Sequence, residues 1–592
     1  MKIFITSSLP YCNACPHLGN IIGSTLSGDI YARFKRSQGH EVVYLCGTDE
    51  YGSTTMIKAK KEGMTCQQIC DRYSMLHKQV YDWFNIQFDV WGRTSTEMQT
   101  KITHEIFLEL YRNGYIEGKT LTQFYCERCQ MFLADRYIKG TCYHSECKDK
   151  LSIANGDQCD FCQKMIDVNR LIDPFCDTCN PTGQGKSKPI PRDTDHLFLC
   201  LDKLATSVEK YIATSKFKHN VQAIAKSWLA TGLTPRCITR DLTWGTPVPK
   251  GVDEFLDKFS NKAFYVWFDA PIGYYSILAN ARPDWREFLQ SPDLKWVSTQ
   301  AKDNIPFHTV FFPATILGSG LKYPLISEIC GTDYLLYEGQ KFSKSGNIGI
   351  FGDQVMQISL QLKINEDYWR FYLTKVRPES ADSNFSVKEF IMTIKTDLIN
   401  NIGNFINRCV SLSKKFCKGK MVYKYEAAKD YSVFRYRLYT ELMEEFRFRD
   451  ALKVCLEISD AGNLYLQGEK PWELATDESV EVKDKAAKPK YKTAKAKLPK
   501  DESAKLKYDP IKATAVISRA NMFCWLLIKM LEPFIPRTCQ RLLTSIKCNI
   551  THPRELLDGT PVIIEILDNY EVPFRQIEMD DLTCSFGDKV NQ

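Results

Sequence analysis

No stretch of the 592 residues approaches the roughly 18 consecutive apolar residues that a membrane span needs, so the sequence predicts a chain without a membrane partner. The opening Met-Lys-Ile-Phe-Ile-Thr-Ser-Ser is apolar for only a few positions. It lacks a secretory h-region and reads as a buried first strand, which predicts a cytoplasmic protein. Extremes of charge are also missing: a formal net charge of +7 is a mild basic excess that permits a polyanionic partner without requiring one. Cysteine, by contrast, is plentiful. Of 23 cysteines, eight fall in pairs between positions 126 and 179. In a chain this long, thiols kept reduced for metal binding fit better than a disulfide framework.

The length excludes a single hydrophobic core and suggests roughly three to five units. A strand over Lys2 to Thr6, a turn with Pro10 and Pro16, a helical stretch from His17 to Gln38 and a strand over Glu41 to Cys46 make a β-α-β opening. Residues 116–215 turn to paired Cys, Gly and Asp with little apolar periodicity, the mark of a small metal-stapled insertion. It splits an α/β domain into 1–115 and 216–340, the pattern resuming with Phe264 to Phe268 and Val310 to Phe312. A loop region follows at 341–385. Apolar residues at three-to-four spacing through Phe390 to Cys417, Tyr431 to Leu466 and Ala513 to Leu531 then predict a helix bundle over 386–545, with a tail over 546–592. Within the bundle, 477–507 carries ten lysines and almost no aromatics, and reads as a solvated loop.

Two strings stand at the edges of the split domain. In Pro16-His17-Leu18-Gly19-Asn20, Pro16 suits a first helical turn, His17 and Asn20 lie three apart on one face, and Gly19 removes a side chain where a ligand must come near. That is how a helix start would receive a triphosphate. Lys341-Phe342-Ser343-Lys344-Ser345 sets two cations among small residues, suited to clamping a phosphate group.

Four cysteine pairs occur: Cys126 with Cys129, Cys142 with Cys147, Cys159 with Cys162, and Cys176 with Cys179. Two close pairs satisfy one tetrahedral Zn²⁺, so the set suggests two structural zinc sites. The second pair has the looser CxxxxC spacing, and His144 could replace one of its sulfurs.

The two strings, in this order, resemble the HIGH and KMSKS motifs of class I aminoacyl-tRNA synthetases. Leu9 to Tyr11, Cys46 to Glu50, Phe264 to Tyr274 and Lys302 to His308 are similar to the methionyl-tRNA synthetase family, over residue 3 to about 475. Two departures are Asn20, where many members have a second histidine, and Phe342, where the motif has Met. The resemblance implies a Rossmann-type parallel-sheet catalytic domain split by a zinc-knuckle insertion, followed by an all-α anticodon-binding bundle, with a stem-contact region in 341–385. It implies a monomer that uses ATP with Mg²⁺ to activate L-methionine and charge tRNA(Met). The phosphate-contacting catalytic set would be His17, Asn20, Lys341 and Lys344, in an ATP site completed by Pro16, Gly19, Ser343 and Ser345.

Asp49 would meet the methionine ammonium, and Leu9, Tyr11, Trp267, Ala270, Pro271, Tyr274 and His308 its side chain. The cysteine sites would nest, the second pair joining the third and the first the fourth. Asn404, Arg408, Pro471 and Trp472 match the anticodon-reading positions, and no appended tRNA-binding domain is evident. Two rival readings are a class I synthetase for another apolar amino acid and a non-catalytic tRNA-binding scaffold.

Overall fold

A computed structural model describes the chain apart from residues 134–136, 151, 157–158, 160, 163, 181–187, 344–347, 424–430, 476–508, 557–560 and 576–592. Lys344, Ser345 and the lysine-rich segment thus lie outside the described residues. The chain divides into two units, Met1–Gln357 with Arg377–Asn384, and Ile358–Val376 with Phe385–Gln592.

The first unit is built on a sheet of β1 (Lys2–Ser7), β2 (Glu41–Thr48), β3 (Val90–Arg93), β4 (Leu294–Ala301) and β5 (Glu328–Thr332). Its spatial order is β5-β4-β1-β2-β3, and every neighbouring pair is parallel. Strand order reverses between β1 and β4, and a doubly wound sheet opens a ligand crevice at the carboxyl ends there.

β1 and β2 fall where the hydrophobic runs put them, but the two strands after the insertion do not. Where the α/β pattern resumes, Ala263–Phe264 is a short strand paired with Thr239–Arg240 outside this sheet, and Val266–Asp269, Phe307–Phe311 and Phe312–Ser319 are helical. A short run of aromatics carries no period that separates strand from helix. β4 was hidden for a different reason: its Ser298, Thr299 and Gln300 are polar yet fully buried. Ser298 and Thr299 are tolerated because they are paired, Thr6 Oγ1 donating to Ser298 Oγ at 3.0 Å and the Ser7 and Thr299 hydroxyls meeting at 2.8 Å.

The insertion enters and leaves through the antiparallel pair Ile116–Cys126 and Ile190–Leu199. Between them lies a small sheet of Ile138–Thr141, Ile153–Asn155 and Ile172–Cys176.

The second unit is mainly helical. Val387–Thr393 runs through a π-helical stretch, Ile394–Gly403, into Asn404–Cys417. Tyr431–Glu444, Phe448–Glu469, Pro510–Leu531 and Pro536–Ser545 complete the bundle among the described residues. The expected tail contributes Ile546–Cys548 and Val562–Ile566 to a three-stranded antiparallel sheet with Lys420–Tyr423. Against expectation, Pro510–Leu531 is long and apolar enough to cross a membrane, with mean hydropathy 1.3. Its apolar window is 72% buried within the fold, as a core helix of the bundle would be.

Candidate active site

The chain turns after β1, β2 and β4 meet at the carboxyl edge of the sheet. Tyr11, following β1, forms an isolated parallel bridge with Asp49, following β2. The Asp49 N–H donates to Pro10 O at 2.9 Å, and the Cys12 N–H donates to Asp49 O at 3.1 Å. Together these turns border a cavity of about 790 Å³. Leu9, Tyr11, Asp49, Trp267, Ala270, Pro271, Tyr274 and His308 all line it. So do Pro16, His17, Gly19, Asn20, Lys341 and Ser343.

His17 caps the helix that starts at Leu18. Its Nδ1 accepts from the Asn20 N–H at 3.2 Å, while Asn20 Oδ1 accepts from the His17 N–H at 3.2 Å. This reciprocal pair is a capping box, which asparagine completes with its own side chain. Because Nδ1 accepts, the proton of the neutral ring sits on Nε2. Burial pushes the His17 pKa down to about 4, so the ring is neutral near pH 7. Gly19 serves a purpose the sequence did not reveal: a Cβ there would meet His17 Cε1 and Nδ1 at 3.0 Å, so the glycine makes room for the histidine ring.

The inner end of the cavity holds a hydrogen-bonded relay. His308 Nδ1 lies 2.8 Å from Asn304 O and must donate to it, leaving Nε2 to accept from the Tyr274 hydroxyl at 2.9 Å. Gln300 Nε2 in turn donates to Tyr274 Oη at 3.1 Å and to Ser298 Oγ at 2.7 Å. Burial takes the His308 pKa down to about 4 and lifts that of Tyr274, so both stay neutral and the slot is polarizable without being charged. Trp267 packs on Phe307, ring centroids 4.4 Å apart.

Asp49 is only 3% exposed, and burial lifts its carboxyl well above the usual range, with the Asp269 and Glu50 carboxylates adding to the effect. Burial raises Asp269 to about 7, although the Thr246 hydroxyl donates to it at 2.8 Å. Of the two, Asp49 lines the cavity, and a buried carboxyl held up by a neighbouring one gains from an incoming cation.

Gln300, Asn304 and Phe307 were not singled out from the sequence. Asn304 and Phe307 sit inside the Lys302 to His308 string, where the four-residue spacing of Asn304 and His308 is the available signal. Gln300 gave none, being one polar residue in an unrecognised strand.

In the insertion the sulfurs of Cys126, Cys129, Cys176 and Cys179 lie within 4.8 Å of one another, as do those of Cys142, Cys147, Cys159 and Cys162. Individual pairs are 3.5 Å apart for Cys126 and Cys179 and 3.7 Å for Cys147 and Cys159. Four sulfurs about 2.3 Å from one Zn²⁺ are about 3.8 Å apart, so both quartets fit the ion. His144 Nδ1 stands 3.3 Å from Cys142 Sγ, as a fifth group beside a complete inner quartet. A third buried group, Cys12, Glu50 and Cys70, differs in character. Arg93 Nε donates to Glu50 Oε1 at 2.7 Å and Thr48 Oγ1 does so at 2.8 Å. A guanidinium already neutralises that carboxylate.

In the second unit Asn404 and Arg408 share a helix face. Both donate to Asn463 Oδ1, at 3.2 and 3.1 Å, and the Arg408 guanidinium lies 5.7 Å from the centre of the Trp472 ring. Pro471 starts the short helix that carries Trp472. Asn463, which ties the set together, was not anticipated.

The family model for tRNA synthetases class I (M) matches residues 3–410. A mimivirus (Acanthamoeba polyphaga mimivirus) methionine–tRNA ligase is 52% identical over 98% of this chain and 98% of its own length. The chain belongs to the class I methionyl-tRNA synthetase family. The human cytoplasmic methionine–tRNA ligase is 44% identical over 80% of this synthetase, which spans 51% of the human protein. Among solved structures, Mycobacterium tuberculosis methionyl-tRNA synthetase in complex with methionyl-adenylate superposes with a TM-score of 0.70 at 20% identity. That match covers 97% of this chain and 100% of the other, a likeness of fold.

Proposed function

We infer that this synthetase is a methionine–tRNA ligase. It joins L-methionine to ATP and passes the methionyl group to the terminal adenosine of tRNA(Met). The observation that carries the reading is one cavity uniting the buried Asp49 carboxyl, an uncharged aromatic slot and the His17 and Lys341 strings. The full-length likeness to the viral ligase supports it. In the first step a methionine carboxylate oxygen attacks the α-phosphorus, the bond from that phosphorus to the bridging oxygen breaks, and pyrophosphate leaves. The terminal ribose hydroxyl of tRNA then attacks the methionyl carbonyl and AMP departs.

No protein nucleophile is needed, so rate comes from positioning and charge stabilisation. Asp49 pairs with the substrate ammonium, and Leu9, Tyr11, Trp267, Ala270, Pro271, Tyr274 and His308 enclose the thioether. Neutral His17 offers its Nε2–H to phosphate beside Asn20 and Lys341, with Pro16, Gly19 and Ser343 shaping the same wall. Lys344 and Ser345, outside the described residues, are assigned to phosphate by their place in the motif. Mg²⁺ accompanies ATP, held chiefly by the phosphates. Zn²⁺ held by the two cysteine quartets would staple the insertion, and four protein ligands leave no open position for chemistry. We assign the protein to the cytoplasm as a monomer, in line with the cytoplasmic designation of the human relative. The test is methionine-dependent exchange of labelled pyrophosphate into ATP without tRNA. Absence of exchange with methionine, but exchange with another apolar amino acid, would sink the assignment.

The carboxylate pair gives a pH dependence. Asp269, with a raised pKa of about 7, is protonated below that pH, and Asp49 shifts in the same direction. Protons therefore compete with the methionine ammonium. The methionine KM measured by exchange is expected to rise as pH falls from 8 to 6, by up to about tenfold per unit where one proton is linked. A flat profile would remove Asp49 as the ammonium partner.

Asn404, Arg408, Pro471 and Trp472 are assigned to the anticodon, whose unstacked bases are read by aromatic stacking and by hydrogen bonds. Replacing Trp472 with Ala is expected to lower kcat/KM for tRNA charging by about tenfold to a hundredfold, a base–aromatic stack being worth about 1–3 kcal/mol. Pyrophosphate exchange should stay unchanged. Loss of both activities together would point instead to a folding defect.

A further inference from the structure

Phe342, where the family motif has Met, lies flat on the imidazole of His17. The ring centroids are 4.4 Å apart and the planes are 7° from parallel. Phe351 meets the same imidazole edge-on at 6.1 Å and 85°, and His17 and Phe351 are joined by an isolated antiparallel bridge. Phe342 is itself held in place. Gly349 has a φ of +112°, and a Cβ there would lie 2.2 Å from Phe342 Cδ1, so glycine leaves the slot the ring fills. Tyr337 closes a further side with its ring 5.9 Å away. The Ser343 and Ile348 backbones exchange two hydrogen bonds of 2.9 Å in an isolated bridge, fixing the residue next to the ring.

The hydrogen bond at His17 Nδ1 still allows the ring to rock about that contact. A face-on aromatic removes this freedom, since parallel stacking constrains the plane. We propose that Phe342 is a positioning residue: its stack on His17 fixes the imidazole plane so that Nε2–H points at the reacting phosphates, and ties the histidine to the lysine-bearing loop. Residues 341–343 and His17 then move as one group. The inference rests on the ligase reading given above.

The test measures kcat and KM for pyrophosphate exchange in the wild type and in Phe342→Ala, Phe342→Tyr and Gly349→Ala. It also records the His17 ring-proton shifts by NMR. Phe342→Ala is expected to lower kcat by about 10- to 100-fold, the scale of a small misplacement of a catalytic group. The methionine KM should hold within about twofold, and Phe342→Tyr should restore most of the rate by keeping the stack. Gly349→Ala, which pushes the ring aside while leaving Phe342 in the sequence, should reproduce the loss. The upfield ring-current shift of the His17 protons should vanish in Phe342→Ala and persist in Phe342→Tyr. An unchanged or raised kcat in Phe342→Ala, or His17 shifts that ignore the substitution, overturns the proposal. Absence of exchange in the wild type would instead overturn the ligase reading, while the NMR shifts still report on the stack.

Discussion

Changing Asp49 to Asn is expected to raise the methionine KM by about a hundredfold or more, leaving the ATP KM within a few-fold of wild type. The side chain is nearly sealed, and its carboxyl is already disfavoured as an anion by burial and by Asp269 and Glu50. In such a place a substrate ammonium would supply the missing counter-charge. Truncating one partner of a buried charge pair costs about 2–5 kcal/mol, which brackets the stated change in KM. Asparagine keeps the shape and the backbone contacts of Asp49 to Pro10 and Cys12, so folding should survive. Titrating methionine against exchange rate at saturating ATP decides the matter. A KM within threefold of wild type would remove Asp49 as the ammonium partner.

Stripping the metal should have the other large effect. Among the described residues, the insertion contributes eleven buried members to its core cluster, of which five are cysteines. Without an ion those thiols offer little apolar area and would hold four sulfurs together for no gain. Structural Zn²⁺ in small peptides is worth about 10–16 kcal/mol of apparent binding energy, which exceeds any stability this core can supply. Metal analysis of the purified chain is expected to give about two Zn²⁺ per molecule. A strong chelator, or Cys159→Ser with Cys176→Ser, should concentrate proteolytic cleavage between 126 and 179. Cleavage unchanged by chelation, with less than half an equivalent of zinc present, would leave the quartets as plain thiol clusters.

The phosphate strings and the cysteine pairs were legible because each is local: a helix start, a loop of small residues with cations, and turns that present two sulfurs each are all set by neighbours in sequence. The Tyr274, His308 and Gln300 relay was only half legible. Tyr274 and His308 were named individually, but Gln300, which continues the relay beyond Tyr274, comes from a strand whose buried Ser298, Thr299 and Gln300 look like surface residues in sequence. Burying Ser298 and Thr299 is helped by β1, which supplies Thr6 and Ser7 as partners across nearly three hundred residues. Asn463 escaped notice for the same reason, its two donors lying in another helix.

The sequence alone determined the family, the first β-α-β unit and the helical character of the second half. These follow from periodicity, capping residues and motif strings that act over a few residues. Only the tertiary structure decided which strands follow the insertion, that the loops after β1, β2 and β4 enclose one cavity, and that Phe342 lies on His17. Contacts between distant segments depend on strand order and on paired buried polar groups, and no window of sequence carries either.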